Sequence, residues 1–165
     1  MPSGPIAHIS FLVNDLDKAI EDWTRILSVL DPHQIEKKIV RYDDVDDGGG
    51  DKLSWATFVS EHGVEIQLMQ PAPGSKMGDR LQRKGEHIHH VCITTPTLEK
   101  SLDALKEKGV EVIGGINAQP NMPWQTWGWI SAKSAHGVLL EIANPYHSRD
   151  GLWHQGDLPD NPGQG

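Results

Sequence analysis

The sequence predicts an α+β fold made from two copies of one module, each a strand, a helix and then about three strands. Two internal repeats and the side-chain alternation inside them carry this expectation. HISFLVNDLDKAIEDW begins at His8, and HVCITTPTLEKSLDAL begins at His90, 82 positions later. In each, the histidine opens a β-rich stretch, and eight residues on a leucine, Leu16 or Leu98, starts an amphipathic helix. Leu16, Ala19, Ile20 and Trp23 share their register with Leu98, Ser101, Leu102 and Leu105, the spacing of one buried helical face. Farther along the offset becomes 74. Trp55, Ser60, His62, Gly63, Val64 and Pro71 return there as Trp129, Ser134, His136, Gly137, Val138 and Pro145. Identities at one fixed offset mark a repeat. The eight residues lost between the two offsets place extra length in the first module, in a loop around Tyr42 to Asp51, where DDVDDGGGD reads as turn-rich.

Local chemistry supports each element. Asn14 or Asp15 suits the cap of the first helix, Pro96 the first turn of the second, and Gly109 after Lys108 its end. Alternation assigns the faces of the strands. Ile9, Phe11 and Val13 share a face that packs on the helix, leaving His8, Ser10 and Leu12 opposite. Val91 and Ile93 turn to the second helix, with His90, Cys92 and Thr94 opposite. In the last strands Val64, Ile66 and Leu68 oppose Glu65, Gln67 and Met69, and Val138, Leu140 and Ile142 oppose Leu139, Glu141 and Ala143. Two such sheets curl toward each other and enclose a pocket on the face away from the helices.

Composition bounds the function. The 165 residues, 37% hydrophobic and 23% charged, suit one ordinary globular domain or two small modules sharing a core. No run approaches the ~20 apolar residues of a membrane span. The N-terminus lacks a basic region before its first strand, so no signal peptide and a cytoplasmic location are expected. The net charge of −8, with no basic stripe, disfavours a nucleic-acid partner. The single cysteine, Cys92, excludes an internal disulfide and a cysteine-rich zinc site, and reads as a small core residue.

His8 pairs with His90 at offset 82, and Gln67 with Glu141 at offset 74, so these four residues are two copies of two positions on the concave face. Burying two imidazoles, an amide and a carboxylate costs several kcal/mol unless they are paired or coordinated. A divalent ion such as Mn, Fe, Co, Ni or Zn satisfies them together. Singly, each histidine reads better as a hydrogen-bonded structural residue; the symmetry of the set favours metal. His62 and His136 read as a turn pair. His87 falls at a strand entrance, and parity aims His89 at the helix side.

These residues resemble the vicinal oxygen chelate superfamily, the glyoxalase and bleomycin-resistance fold, and within it the methylmalonyl-CoA epimerases. The resemblance rests on HISFLVNDLDKAI, GVEIQLMQP, KGEHIHHVCI and KSAHGVLLEIANP, and spans roughly residues 6 to 145. It implies paired βαβββ modules forming a curled mixed sheet around a metal pocket, within one domain of residues 1–145 (modules at about 6–71 and 88–145), and a C-terminal tail of 146–165. It also implies that His8, Gln67, His90 and Glu141 are the metal ligands, that the ion acts as a Lewis acid stabilising an enolate or oxyanion, and that the protein is a homodimer.

Epimerisation of this kind needs a carboxylate on each side of the reacting carbon. Glu141 supplies one. The epimerases' Glu-Gln-Gly segment is absent here, replaced by a run of aspartates in which Asp47 and Asp51 are nearest in spacing; a solvated acidic loop is the competing reading. Trp124 and Trp127 have no partners in the repeat. They read either as a pocket wall for an apolar or aromatic substrate or as packing for the tail, which itself reads as a cap over the pocket, a dimer edge or a loose end. The first expectation is therefore a metal-dependent lyase, isomerase or epimerase acting on a small acid or acyl thioester. A non-haem iron dioxygenase using the histidines with Glu141 is the second, and a non-catalytic resistance-type binding protein the third.

Overall fold

A computed structural model describes residues 6–61 and 63–156. His62, one half of the expected turn pair, and the tail beyond Gly156 lie outside the described residues. The first module runs β1 (Ile6–Leu12), α1 (Leu16–Leu30), the short α2 (His33–Glu36), β2 (Val40–Asp46), β3 (Lys52–Phe58) and β4 (Glu65–Pro71). A linker helix α3 (Lys76–Lys84) leads to β5 (His87–Thr94), α4 (Leu98–Glu107), β6 (Val112–Gln119), β7 (Met122–Ile130) and β8 (Leu140–Ala143). A hairpin follows, β9 (Tyr146–Arg149) and β10 (Leu152–Gln155). No described helix is long and apolar enough to cross a membrane.

The strands form one mixed eight-stranded sheet in the order β2-β3-β4-β1-β5-β8-β7-β6. The curled sheet with two βαβββ units is the architecture expected from the repeat. The modules join within one chain, through the antiparallel seam of β1 and β5, while each is closed by a parallel pair, β1 with β4 and β5 with β8. Helix α1 packs on the convex side through Leu16, Ala19, Ile20 and Trp23 against Phe11, Ile66 and Leu68, and α4 does the same through Leu98 and Leu102 against Ile93, Leu140 and Ile142. Fully burying a side chain such as Leu68 stabilises the fold by about 1.5–3 kcal/mol. Asp15, not Asn14, caps α1, its carboxylate accepting the Lys18 backbone N–H. Gly109 ends α4 at φ 81°. His136, at φ 57°, sits in a turn as expected.

The acidic stretch departs from the expected loop. Strand β2 runs through Asp46, with a one-residue bulge between Tyr42 and Val45 where Asp44 has φ 50°. The first module's extra length lies not here but in its helical part, where α1 and α2 stand against the shorter α4. Only the tip at Asp47 to Gly50 is left to turn. It is folded over the second module: Gln119 donates to the Asp46 carbonyl at 2.8 Å, and Gly48 lies so close to Trp127 that a Cβ there would stand 2.8 Å from the ring. With φ at 88° as well, that position accepts glycine alone.

Candidate metal centre

The seam builds the site. Across it, His8 stands opposite Cys92 and Ser10 opposite His90; one strand outward, Cys92 stands beside Glu141 and Ser10 beside Gln67. The concave face thus carries two rows, His8–Cys92–Glu141 and Gln67–Ser10–His90, related by the repeat. Ser10 and Cys92, both fully buried, are small enough for the longer side chains to converge above them.

His8 Nε2 lies 3.1 Å from His90 Nε2 and 3.9 Å from one Glu141 oxygen, and the other Glu141 oxygen is 3.3 Å from His90 Nε2. Three groups able to bind a cation therefore lie within 4.8 Å of one another. Ligands at metal bonds of ~2.1 Å stand ~3.0 Å apart at a right angle and ~3.4 Å apart at the tetrahedral angle, so these separations fit a common divalent ion. The electrostatics agree. Burial holds His8 down to about 3 and His90 well below the usual imidazole range, so both are neutral at neutral pH, the form that binds metal. Burial pushes the Glu141 carboxyl up to about 7, against an opposing hydrogen bond from Cys92. A buried cation would reverse that cost. Cys92 itself stays a neutral thiol, its pKa raised by burial and by Glu141.

Beside this cluster opens a cavity of about 90 Å³. Gln67, His90 and Glu141 stand in its wall, together with Trp55, Trp127, Trp129, Trp153, Met69, Met77 and Met122. Asp47 also lines it, while its Oδ1 accepts the Gly49 and Asp51 backbone N–H groups. The other residues named from sequence fall elsewhere. Asp51 accepts the Lys76 N–H at the start of α3 and takes no part in the wall. Trp124 does not line the cavity and packs, partly buried, at the edge of the apolar cluster around Trp55 and Trp153.

Three neighbours of the cluster escape the sequence reading. His89 does not turn to the helix side: the ladder slips between Ser10–His90 and Phe11–Ile88, leaving His89 as the extra residue of a bulge, so it faces the cavity beside His90. Its Nδ1 lies 2.8 Å from His90 Nδ1. Tyr146 Oη lies 2.9 Å from His8 Nδ1 and 2.9 Å from Glu65 Oε1. Glu65 shares its face with Gln67 and neighbours His8 in the ladder, a placement visible in the alternation of GVEIQL. The third is Trp153, which stacks on Tyr146 at 4.1 Å between centroids and closes the cavity over the first module.

A fold of paired βαβββ modules whose seam gathers two histidines and a carboxylate is that of the glyoxalases. The chain belongs to the Glyoxalase/Bleomycin resistance protein/Dioxygenase superfamily, whose family model matches residues 7–124; this is the vicinal oxygen chelate superfamily, whose members bind divalent metals. Among solved structures, the methylmalonyl-CoA epimerase of Mycobacterium tuberculosis shares the fold at a TM-score of 0.65 and 22% identity, over 86% of this chain and 87% of the other. The Streptomyces coelicolor methylmalonyl-CoA epimerase in complex with 2-nitronate-propionyl-CoA matches at a TM-score of 0.67 and 22% identity, over 87% and 98%. The uncharacterized protein YqjC of Bacillus subtilis (strain 168) is 27% identical over 89 residues, which span 53% of this chain and 63% of that relative's length.

Proposed function

We propose that this chain is a divalent-metal-dependent lyase, isomerase or epimerase that moves a proton at the carbon next to a carbonyl of a small acid or acyl thioester. The convergence of His8, His90 and Glu141, with Gln67 in the wall of the adjoining cavity, carries this reading. These four residues are the metal ligands. When bound, the ion supplies Lewis-acid polarisation of two neighbouring substrate oxygens.

The chain's own residues do the rest. Among the described residues, Glu141 and Asp47 are the two carboxylates that line the cavity, and they hold or release the proton on either side of the reacting carbon. The tryptophan walls orient the substrate and exclude water. A cavity of about 90 Å³ is smaller than the ~300–1,000 Å³ typical of drug-sized ligands. It therefore admits a compact acid, or only the acyl end of a thioester.

In D2O, wild-type protein loaded with cobalt or manganese should exchange hydrogen at that carbon in a panel of small 2-oxo acids, 2-hydroxy acids and branched acyl thioesters, read by NMR. Glu141→Gln should abolish the exchange with the fold retained, a loss of at least ~100-fold for removal of a proton-transfer group. Exchange at the wild-type rate in E141Q would sink the reading. A second reading, a non-haem iron dioxygenase, is favoured by the two-histidine, one-carboxylate geometry and the aromatic walls. Oxygen consumption dependent on ferrous iron, with no proton exchange, would establish it instead.

A further inference from the structure

A histidine binds metal through one nitrogen only if the hydrogen sits on the other, and the partner of that second nitrogen decides where it sits. For His8 the partner is Tyr146, supplied by the C-terminal hairpin from outside both modules. Its Oη is 2.9 Å from His8 Nδ1 and 2.9 Å from Glu65 Oε1. Glu65 is only 5% exposed, and three donors converge on it: the Ser60 N–H reaches Oε2 at 3.0 Å, and the Tyr146 and Ser148 hydroxyls reach Oε1 at 2.9 and 3.3 Å. Tyr146 has one hydroxyl hydrogen. Given to Glu65, it leaves the phenol oxygen able only to accept, and His8 must then carry its hydrogen on Nδ1. Nε2 is left as a bare lone pair facing His90 and Glu141. The ring that enforces this is itself clamped, stacked on Trp153, whose backbone N–H donates to Tyr42 Oη at 3.1 Å. The repeat provides no such device on the other side, since the residue equivalent to Glu65 is Leu139.

We infer that Tyr146, oriented by Glu65, is a positioning residue that locks His8 in the Nδ1–H tautomer, so that the C-terminal hairpin completes the metal centre. The inference rests on the metal reading above.

Two variants test it. Tyr146→Phe keeps the stack on Trp153 and removes the hydroxyl. Glu65→Gln is nearly isosteric but reverses the hydrogen bonds. The fixed Ser60 N–H requires the amide oxygen at its position, which turns the NH2 toward Tyr146. The phenol hydrogen then swings to His8 Nδ1 and drives the imidazole hydrogen onto Nε2, facing the metal position. Zinc affinity is measured by calorimetric titration, melting temperature confirms folding, and nitrogen-15 NMR of labelled histidine reads the His8 tautomer in the metal-free protein. The expected results are Nδ1–H in wild type, Nε2–H in E65Q, and zinc affinity about 10- to 100-fold weaker in both folded variants, the range for loss of an outer-shell partner. Folded variants that bind zinc as tightly as wild type, or an Nε2–H tautomer in the wild type, would overturn the inference. Wild-type protein that takes up no ion while showing Nδ1–H would overturn the metal reading instead, and with it the role assigned to the hairpin.

Discussion

The two modules present matching inner residues and unlike outer ones. His8 and His90 occupy equivalent positions across the seam, each on the row that ends in the other pair's oxygen donor. Behind them the halves diverge. His90 is backed by its chain neighbour His89, brought round by a bulge, whereas His8 is backed by Tyr146 and Glu65, of which the first lies beyond the repeat altogether. The cavity is equally lopsided, with Trp153 of the hairpin closing the first module's side and Trp127 and Trp129 of β7 forming the second's. The difference shows that ladder register sets the inner residues, so a repeated ladder repeats them, while the outer residues answer to local irregularities that need not be repeated.

The largest expected effect tests the symmetry itself. His8→Ala and His90→Ala should each abolish stoichiometric metal binding, measured on the purified variants by elemental analysis, with a loss beyond the ~10- to 100-fold of an outer-shell change. Tolerance of one and not the other would break the equivalence of the two rows. Next comes the asymmetric wall. Trp153, 8% exposed and packed on Trp55, Tyr146 and the His8 ring, belongs to the hairpin alone. Trp153→Ala should cost about 3–5 kcal/mol in urea denaturation, the range for truncating a buried tryptophan. A cost near zero would mean that the hairpin does not hold the first module's side.

The smallest effect sharpens the comparison between ligand types. With its pKa at about 7 in the metal-free site, Glu141 must lose a proton to bind an ion below that pH, whereas His8, held at about 3, is already deprotonated. Metal affinity should therefore be flat above pH 7 and fall as pH drops below it, by about tenfold per unit. In Glu141→Gln that dependence should vanish, while whatever affinity remains persists. Titrations at pH 5, 6, 7 and 8 check both.

The inner site was legible in the sequence because period-two alternation and a fixed repeat offset both survive in it. His8, Gln67, His90 and Glu141 could be placed on one face without any contact being known. Alternation fails where the ladder slips. One extra residue at His89 inverts the face that parity assigns, and the bulge of β2 hides a strand inside the aspartate run from Asp43 to Asp46. Asp47 reaches the cavity and Asp51 does not, a distinction that spacing from Gln67 cannot draw, since it depends on how the tip folds over Trp127. Trp124 and Trp127 looked alike in sequence, yet Trp127 lines the cavity while Trp124 packs at the edge of the cluster around Trp55 and Trp153. Tyr146 and Trp153 were out of reach because neither has a repeat partner, and a tail without periodicity carries no sign of where it docks.

The central claim is that one divalent ion sits where the two modules meet. Crystals of protein equilibrated with cobalt or zinc, measured at the metal's absorption edge, test it most directly. A single anomalous peak is expected within bonding distance, ~2.0–2.2 Å, of His8 Nε2, His90 Nε2, a Glu141 oxygen and the Gln67 amide oxygen. No peak there, with the metal bound elsewhere or not at all, would contradict it.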